Sequence, residues 1–334
     1  MTRLSAIEPV KPAGAAPAMD ATKISDVVVP GSVANLGGGF DTIGVAVQVY
    51  LRTRIVDVRD DGGSRLTVVQ STPPVRGQNA LERAFDAMVQ RTGTRMPTVS
   101  VDVSSDIPMA AGLGSSAAAT VAGLRVFERV SAMRDGAALD DGALDDGVLL
   151  AVATAMEGHA DNAAPALFGG LTSVVQVDGE HPRAIRWSWP EDLRLVVATP
   201  AIGLATATAR AALPPAVPRA DAIFNLQRAL LLVHALQHSE WHHVREAVKD
   251  RWHQSARASM VPMLAEVLAI DDPAVLGAFL SGAGPSVAVL ARQDVERVEQ
   301  MLASMYERGG VKATVRALKV HHGVGVEDVV GRAV

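Results

Sequence analysis

Short segments in which apolar and polar residues alternate run through the chain and predict β-strands. The clearest covers residues 97–103, where valines occupy every second position near its end. The apolar run at residues 27–29 is followed by Pro30 and Gly31, which predicts a strand that enters a tight loop. Comparable patterns predict further strands at residues 43–49, 52–58, 171–177, 193–199 and 287–290.

Apolar residues at helical spacing predict the helices, and capping residues mark their ends. Asn79, followed by Glu82, predicts a capping box at the start of a helix that Gly93 ends. Because strands and helices mix without a strict strand–helix–strand rhythm, the pattern predicts an α+β fold. Further helices are predicted around Val121, Leu124 and Val130, and at residues 148–157, 224–237, 241–254 and 295–306.

The same pattern divides the chain into two α+β halves, at residues 23–165 and 166–334. Residues 1–22 are rich in Ala and Pro and lack the continuous apolar region of a secretory signal. We therefore expect a disordered tail at residues 1–22 that plays no part in the chemistry.

The composition favours a protein that binds small molecules. Its 31 basic and 36 acidic residues include no long run of Lys or Arg, which excludes the basic surface typical of nucleic-acid binding proteins. The chain has no Cys, so disulfides, thiolate metal sites and cysteine nucleophiles are excluded. The apolar stretches are far shorter than the roughly 20 residues of a membrane helix. We expect a cytoplasmic protein without nucleic-acid or membrane partners.

The segment IPMAAGLGSSAA, residues 107–118, lies between a predicted strand and a predicted helix. Its glycines allow backbone N–H groups to converge on an anion, the helix start adds unpaired donors, and its serines supply hydroxyl groups. These features predict a phosphate-binding loop, with an ordinary glycine turn and serine caps as the alternative. It lacks the lysine of a P-loop, and Ala117 stands where the GxGxxG pattern needs its third glycine.

Two other glycine-rich segments are candidates for the same site. In PGSVANLGGGFD, residues 30–41, Asp41 can bind an ammonium group and Asn35 can donate and accept hydrogen bonds. An Asx turn that closes a hairpin is the alternative. The second segment, SGAGPS at residues 281–286, is by itself only a glycine–proline turn between core strands.

The three segments, in this order, resemble the signature motifs of the GHMP kinases, the family of galactokinase, homoserine kinase, mevalonate kinase and phosphomevalonate kinase. The resemblance implies the GHMP kinase fold, two closely packed α+β halves with the ATP and substrate site in the cleft between them. It further implies that the loops hold the ATP phosphates and that Ser116 holds Mg²⁺. The cofactor-binding residues are then Pro108, Met109, Ala110, Ala111, Gly112, Leu113, Gly114, Ser115, Ser116, Ala117, Gly282 and Gly284.

The segment EGHADNAAPA, residues 157–166, resembles the homoserine kinases most closely. The resemblance implies ATP-dependent phosphorylation of the side-chain hydroxyl of L-homoserine in threonine biosynthesis. Asn162 stands where sister kinases usually have Asp, and Asn cannot accept a proton at neutral pH. Catalysis by Asn162 and Asp161 must therefore depend on positioning.

L-homoserine carries an ammonium and a carboxylate group, so its site needs acidic residues for one and arginines for the other. We expect Asp161 to serve in binding as well as in catalysis. His159 lies in the same segment and is expected to hold the loop. The predicted substrate-binding residues are Asn35, Asp41, His159, Asp161, Arg210 and Arg257.

The second Mg²⁺ ligand is harder to assign from the sequence, because Ala151 occupies the position of a Glu found in some homoserine kinases. Glu157 is the nearest carboxylate and the substitute that we predict, with a helix-end charge as the alternative.

His234, His238 and His242 are spaced by four residues, so a continuous helix would place all three on one face, as zinc ligands are placed. No carboxylate accompanies them at fixed spacing, and other residues crowd the following turn. We interpret them as ordinary surface residues.

Alternatives to this function remain open. The runner-up is a GHMP kinase for another alcohol, of the mevalonate or sugar type; mevalonate has no ammonium group to match the paired Asp and Arg residues. A non-catalytic homologue that senses ATP or an amino acid is the other alternative. A homodimer is possible.

Overall fold

A computed structural model of the chain describes residues 26–75, 77–135 and 144–323. The predicted tail at residues 1–22 lies outside them. The strands of the described residues form two sheets. The first sheet contains β1 (Val27–Ala34), β2 (Ile43–Arg59), β3 (Arg65–Thr72), β4 (Thr98–Ser105), β5 (Leu171–Val175) and β6 (Arg183–Trp187). The second contains β7 (Arg194–Pro200), β8 (Gly277–Leu280), β9 (Val287–Ala291) and β10 (Ala313–Leu318).

The first sheet has the order β3–β4–β2–β5–β6, with β1 also paired to β2, and the second has the order β10–β7–β9–β8. All pairs are antiparallel except β3 with β4. The two strands predicted at residues 43–49 and 52–58 are one strand, β2, whose 17 residues allow it to pair with β1, β4 and β5.

The helices of the first half are α1 (Ala80–Thr92), α2 (Ser115–Asp135), α3 (Asp146–Glu157) and α4 (Ala163–Phe168). The predicted capping box is confirmed: the Asn79 side chain accepts from Glu82 N at 3.0 Å, and the Glu82 side chain accepts from Asn79 N at 3.1 Å. The second half contributes α5 (Thr206–Ala211), α6 (Arg219–His238), α7 (Val244–Ala247), α8 (Gln254–Arg257), α9 (Leu264–Leu268) and α10 (Val295–Arg308). The predicted α+β class is confirmed.

The single helix predicted at residues 241–254 is wrong, because a 3-10 turn, α7 and α8 occupy this region with irregular chain between α7 and α8. The buried Asp250 carboxylate explains the break. It accepts from the backbone N–H groups of His253 and Gln254 at 2.9 and 2.8 Å, and from Asn225 Nδ2 at 2.6 Å. A side chain that satisfies backbone donors in this way competes with the helix for them.

The two sheets are joined through the end of β10. Gln48 N donates to Lys319 O at 2.9 Å and His321 N donates to Ala46 O at 3.0 Å. β5 and β6 follow residue 165 yet belong to the first sheet, so the change of sheet falls between Trp187 and Arg194. The domain boundary between residues 165 and 166 stays a prediction.

Helix α2 is held against α1 by a close crossing in the core. Phe85 and Phe127 pack edge to face, with ring centroids 5.6 Å apart. At Gly123 the backbones approach so closely that an added Cβ would overlap the carbonyl oxygen of Leu81. The crossing sets the position of α2, whose first residues follow the glycine loop.

In the described part of the chain, no helix is both long and apolar enough to cross a membrane.

We predict that Gly123→Ala lowers the free energy of unfolding by about 1–3 kcal/mol, the usual cost of overpacking, because the backbone oxygen it meets cannot rotate away. The measurement is urea denaturation. Gly147→Ala is the matched control, since the nearest neighbours of a Cβ on that helical glycine are side-chain atoms, the closest being Asp145 Oδ1 at 3.0 Å. Equal losses in both variants would contradict the packing argument.

Candidate active site

A cleft lies where loops from both sheets and the ends of four helices meet. Most of the predicted site residues line it, although they come from widely separated segments. These are Asn35, Asp41, Ala110, Ala111, Gly112, Gly114, Ser115, Ser116, Ala117, Glu157, His159, Asp161, Asn162, Arg210, Arg257 and Gly282.

Four predicted cofactor residues do not line the cleft: Pro108, Met109, Leu113 and Gly284. Leu113 is buried, and its carbonyl accepts from Ser32 N at 3.0 Å, so it fixes the loop rather than facing a ligand. Gly284 N donates to Ser281 O at 2.9 Å and shapes the neighbouring loop. Pro108 and Met109 line an adjacent groove.

The glycine loop delivers the start of α2 to the cleft. Ala110, Gly112 and Gly114 have φ angles of 51°, 78° and 71°, which reverse the chain just before the helix. The N–H of Ala118 donates to Gly114 O at 2.9 Å, so the N–H groups of residues 115–117 precede the first helical hydrogen bond. These donors and the helix dipole make the helix start a site for an anion.

Contacts between the glycine loop and residues 281–286 close the base of the cleft. Ser281 Oγ donates to Gly112 O at 2.6 Å, and Ser286 N donates to Ala111 O at 3.2 Å. An added Cβ at Gly112 would overlap Ser281 O. The two loops therefore hold each other in place.

Asn35 connects the third loop to this pair. It is buried, with a φ angle of 75°, and its Nδ2 donates to Gly282 O at 3.0 Å. Its Oδ1 accepts from Asp41 N at 3.0 Å. The amide oxygen and one N–H therefore maintain the loops, and a substrate contact by Asn35 stays a prediction.

Glu157 lies directly beside the predicted metal-binding serine. Its Oε1 accepts from Ser116 Oγ at 3.0 Å and from Thr120 Oγ1 at 2.7 Å. Thr120, one turn after Ser116 on α2, was not predicted from the sequence. Hydroxyl and carboxylate oxygens are the ligands that Mg²⁺ prefers, so the pair fits this ion.

His159, Asp161, Asn162 and Ser32 form a hydrogen-bonded row. His159 Nδ1 lies 2.6 Å from Asp161 Oδ1, Asn162 Nδ2 donates to the same oxygen at 3.4 Å, and Ser32 Oγ donates to Asn162 Oδ1 at 2.9 Å. Burial opposes the charge on His159, but the hydrogen bond and charge of Asp161 outweigh it and raise the pKa of His159. Asp161 thus favours the protonated form of His159, and the row fixes the Asn162 amide.

Asp41 and Arg210 form a two-point ion pair. Arg210 Nη1 donates to Asp41 Oδ2 at 2.9 Å and Nη2 donates to Oδ1 at 2.7 Å. Both side chains are about one third exposed and line the cleft. The predicted partners of a substrate's ammonium and carboxylate groups are therefore paired with each other here.

Arg257 is buried at the wall of the same cleft. Its Nε donates to Ala209 O at 3.1 Å and its Nη1 donates to Gly282 O at 3.2 Å. Burial and repulsion from Arg210 lower its pKa. Phe40 packs beside both guanidinium groups, with its centroid 5.9 and 5.5 Å from Arg210 Cζ and Arg257 Cζ.

Sequence reasoning missed four residues that line the cleft and two that hold its side chains by hydrogen bonds. The first are Phe40, Leu204, Thr206 and Ala283, and the second are Ser32 and Thr120. Thr206 lies one helical turn before Arg210 on α5, and Phe40 precedes Asp41. Their nearness to predicted site residues could have identified them from the sequence. Ser32 and Thr120 act through contacts across the fold, which no local pattern marks.

Comparison with known families agrees with the motif order. The model of the GHMP kinases N terminal domain matches residues 79–170, and that of the GHMP kinases C terminal matches residues 232–308. The homoserine kinase of Solibacter usitatus is 34% identical over 285 residues, which cover 84% of this chain and 90% of that protein. The homoserine kinase of Thermus thermophilus is 37% identical over 270 residues, 80% of this chain and 87% of that protein.

Solved structures agree at the level of the fold. The homoserine kinase from Cytophaga hutchinsonii superposes with a TM-score of 0.75 at 24% identity and covers 89% of this chain and 95% of its own. The mevalonate kinase of Methanococcus jannaschii gives a TM-score of 0.62 at 13% identity, with coverage of 89% and 98%. The predicted GHMP kinase fold is confirmed. Because both halves match and the sequence relatives are aligned over most of their length, the chain belongs to the homoserine kinases of the GHMP kinase family.

Proposed function

We propose that this chain transfers the γ-phosphoryl group of ATP to the side-chain hydroxyl of L-homoserine, giving O-phospho-L-homoserine and ADP in threonine biosynthesis. The carrying observation is one cleft with an anion site at the start of α2 and with three acidic and two arginine side chains around it. The relatives that bear the name homoserine kinase support the same substrate.

The nucleotide is proposed to lie along the start of α2. Its phosphates occupy the N–H groups of residues 115–117, and its base enters an apolar pocket on the other side of Ser115 and Ser116. Met109, which the sequence predicts as a nucleotide contact, lines that pocket. Its apolar wall is formed by Leu51, Val68, Pro73, Val75, Leu81, Val103, Met109 and Ala119.

Ser116 and Glu157 would hold Mg²⁺ through a hydroxyl and a carboxylate oxygen. When bound, the ion neutralises the charge of the phosphates. Thr120 keeps the Glu157 carboxylate directed at Ser116 through its 2.7 Å hydrogen bond.

The zwitterionic end of the substrate is proposed to insert at the Asp41–Arg210 pair. A carboxylate can take up Arg210 and Arg257, while Asp41 and Asp161 take up the ammonium group. Within the described residues, Arg257 Nη2 makes no hydrogen bond, so its N–H groups are free for a carboxylate. The Asp41–Arg210 ion pair is thereby replaced by two sets of contacts, the ammonium group with the aspartates and the carboxylate with the arginines, so these charges stay paired.

The reaction is proposed to proceed without a general base at Asn162. Ser32 holds the amide oxygen of Asn162, which turns Nδ2 toward Asp161 and the cleft. A neutral donor there orients the substrate hydroxyl without adding negative charge to a transition state that already carries much of it.

The cytoplasmic location and the homodimer stay predictions.

An ADP-release assay tests the proposed substrate. We expect L-homoserine to stimulate turnover, and mevalonate, galactose and a blank without acceptor to leave it at background. Stimulation by another alcohol would assign a different substrate. No turnover with any acceptor, despite ATP binding, would favour the sensing homologue.

We predict that Ser116→Ala raises the Mg²⁺ concentration for half-maximal rate and lowers kcat/KM by at least about tenfold. Even residues that only hydrogen-bond to a metal ligand change affinity or activity by that factor when they are replaced. Ser115→Ala is the matched control and should change the Mg²⁺ dependence little. Equal Mg²⁺ profiles for the two variants would remove Ser116 from the metal site.

We predict that Asn162→Asp lowers kcat by about tenfold or more, since loss of one oriented donor in an active site costs on the order of 10² in rate. The Ser32 hydrogen bond can persist to the new carboxylate, so the variant replaces the donor by a negative charge without releasing that anchor. The control Asp161→Asn should mainly raise KM for L-homoserine. A faster Asn162→Asp enzyme with a new basic limb in its pH profile would show that the site profits from a base.

A further inference from the structure

Four histidines and one glutamate gather at the end of α6, outside the cleft. We call His234, His238, Glu240, His242 and His243 the histidine cluster. Glu240 lies at its centre: its Oε2 is 3.3 Å from His234 Nε2 and 3.4 Å from His243 Nε2. The His242 and His243 ring centroids are 3.9 Å apart, and those of His234 and His238 are 4.5 Å apart.

A chain reversal, rather than a helix face, brings these side chains together. Ser239 adopts a left-handed conformation and ends α6, so His242 does not continue the helical spacing of His234 and His238. Glu240 N then donates to Ala235 O at 2.9 Å, and His243 N donates to Glu240 O at 3.0 Å. The reversal supplies the carboxylate that the sequence pattern lacked.

The reversal is anchored on both sides. Trp241, between Glu240 and His242, packs against the core. Arg292 Cζ lies 4.2 Å from the centroid of its ring. Gln237, in the last turn of α6, donates to Ser188 O at 2.8 Å and accepts from Ser188 N at 3.3 Å. The backbone that holds the cluster is therefore tied to the body of the protein.

We propose that the histidine cluster binds one divalent transition-metal ion of the zinc class. One donor atom each of Glu240, His242 and His243 lies within 4.8 Å of the others. In a tetrahedral site with bonds of 2.0–2.1 Å, neighbouring ligand atoms are about 3.3 Å apart. The Glu240 Oε2 separations from His234 and His243 match that edge. His234 is the fourth ligand, which a small rotation of its exposed side chain brings into the set.

The donor set also separates this site from the proposed Mg²⁺ site. Imidazole nitrogens suit zinc, cobalt, nickel and copper, whereas Mg²⁺ binds almost entirely to oxygen. Millimolar Mg²⁺ should therefore not displace the ion. Because none of the five residues lines the cleft, binding here does not depend on the proposed kinase reaction.

The test is titration of the full chain, free of any affinity tag, with Zn²⁺ by calorimetry in the presence of Mg²⁺. We expect one equivalent to bind. Glu240→Gln and His243→Ala should each weaken the affinity at least about tenfold, a loss that even outer partners of metal sites produce. His181→Ala, an exposed histidine away from the cluster, is the control and should bind as the native protein does.

A second measurement distinguishes a metal site from histidine–glutamate ion pairs. Co²⁺ should give the intense visible absorption of tetrahedral coordination in the native protein, and this should vanish in Glu240→Gln. The thermal midpoint should rise with Zn²⁺ only in proteins with the intact cluster. Absence of binding, or an affinity that Glu240→Gln and His243→Ala do not change, would overturn the proposal. An equal loss in His181→Ala would do so as well.

Discussion

The site depends on the close contact of two loops whose backbones leave no space between them for a side chain. The loop before α2 and the loop between β8 and β9 meet at Gly112, where a Cβ would overlap the carbonyl oxygen of Ser281. Their hydrogen bonds join the two sheets at the base of the cleft. The start of α2, with its unpaired N–H groups, can face the second half of the molecule only because this contact is so close.

The charged side chains of the site have hydrogen-bond partners before any ligand arrives. Asp161 has His159, Asp41 has Arg210, and the Arg257 guanidinium has carbonyl oxygens. Since an unpaired buried charge is costly, each partner can be released only to a group of matching charge. A zwitterion meets this requirement, and a neutral alcohol does not.

The orientation of Arg257 depends on a buried network behind it. His253 is fully buried, and burial lowers its pKa, so the imidazole is neutral. Its Nε2–H donates to Gly37 O at 3.0 Å, which leaves Nδ1 to accept from Arg257 Nη1 at 3.3 Å. Asp250, which interrupts the helix predicted at residues 241–254, caps the segment that carries His253. The irregular chain there thus positions a side chain of the cleft.

The sequence by itself determined the family, the α+β class and most residues of the cleft, because glycine spacing, capping residues and charged side chains in short motifs are local features. The tertiary structure alone decided which of them meet. Asp41 pairs with Arg210 across 169 positions, and Ser32 holds Asn162 across 130. The long strand β2, the broken helix and the histidine cluster likewise depend on buried partners and a chain reversal. No local pattern encodes such contacts, because their energy comes from burial beside residues that are distant in the chain.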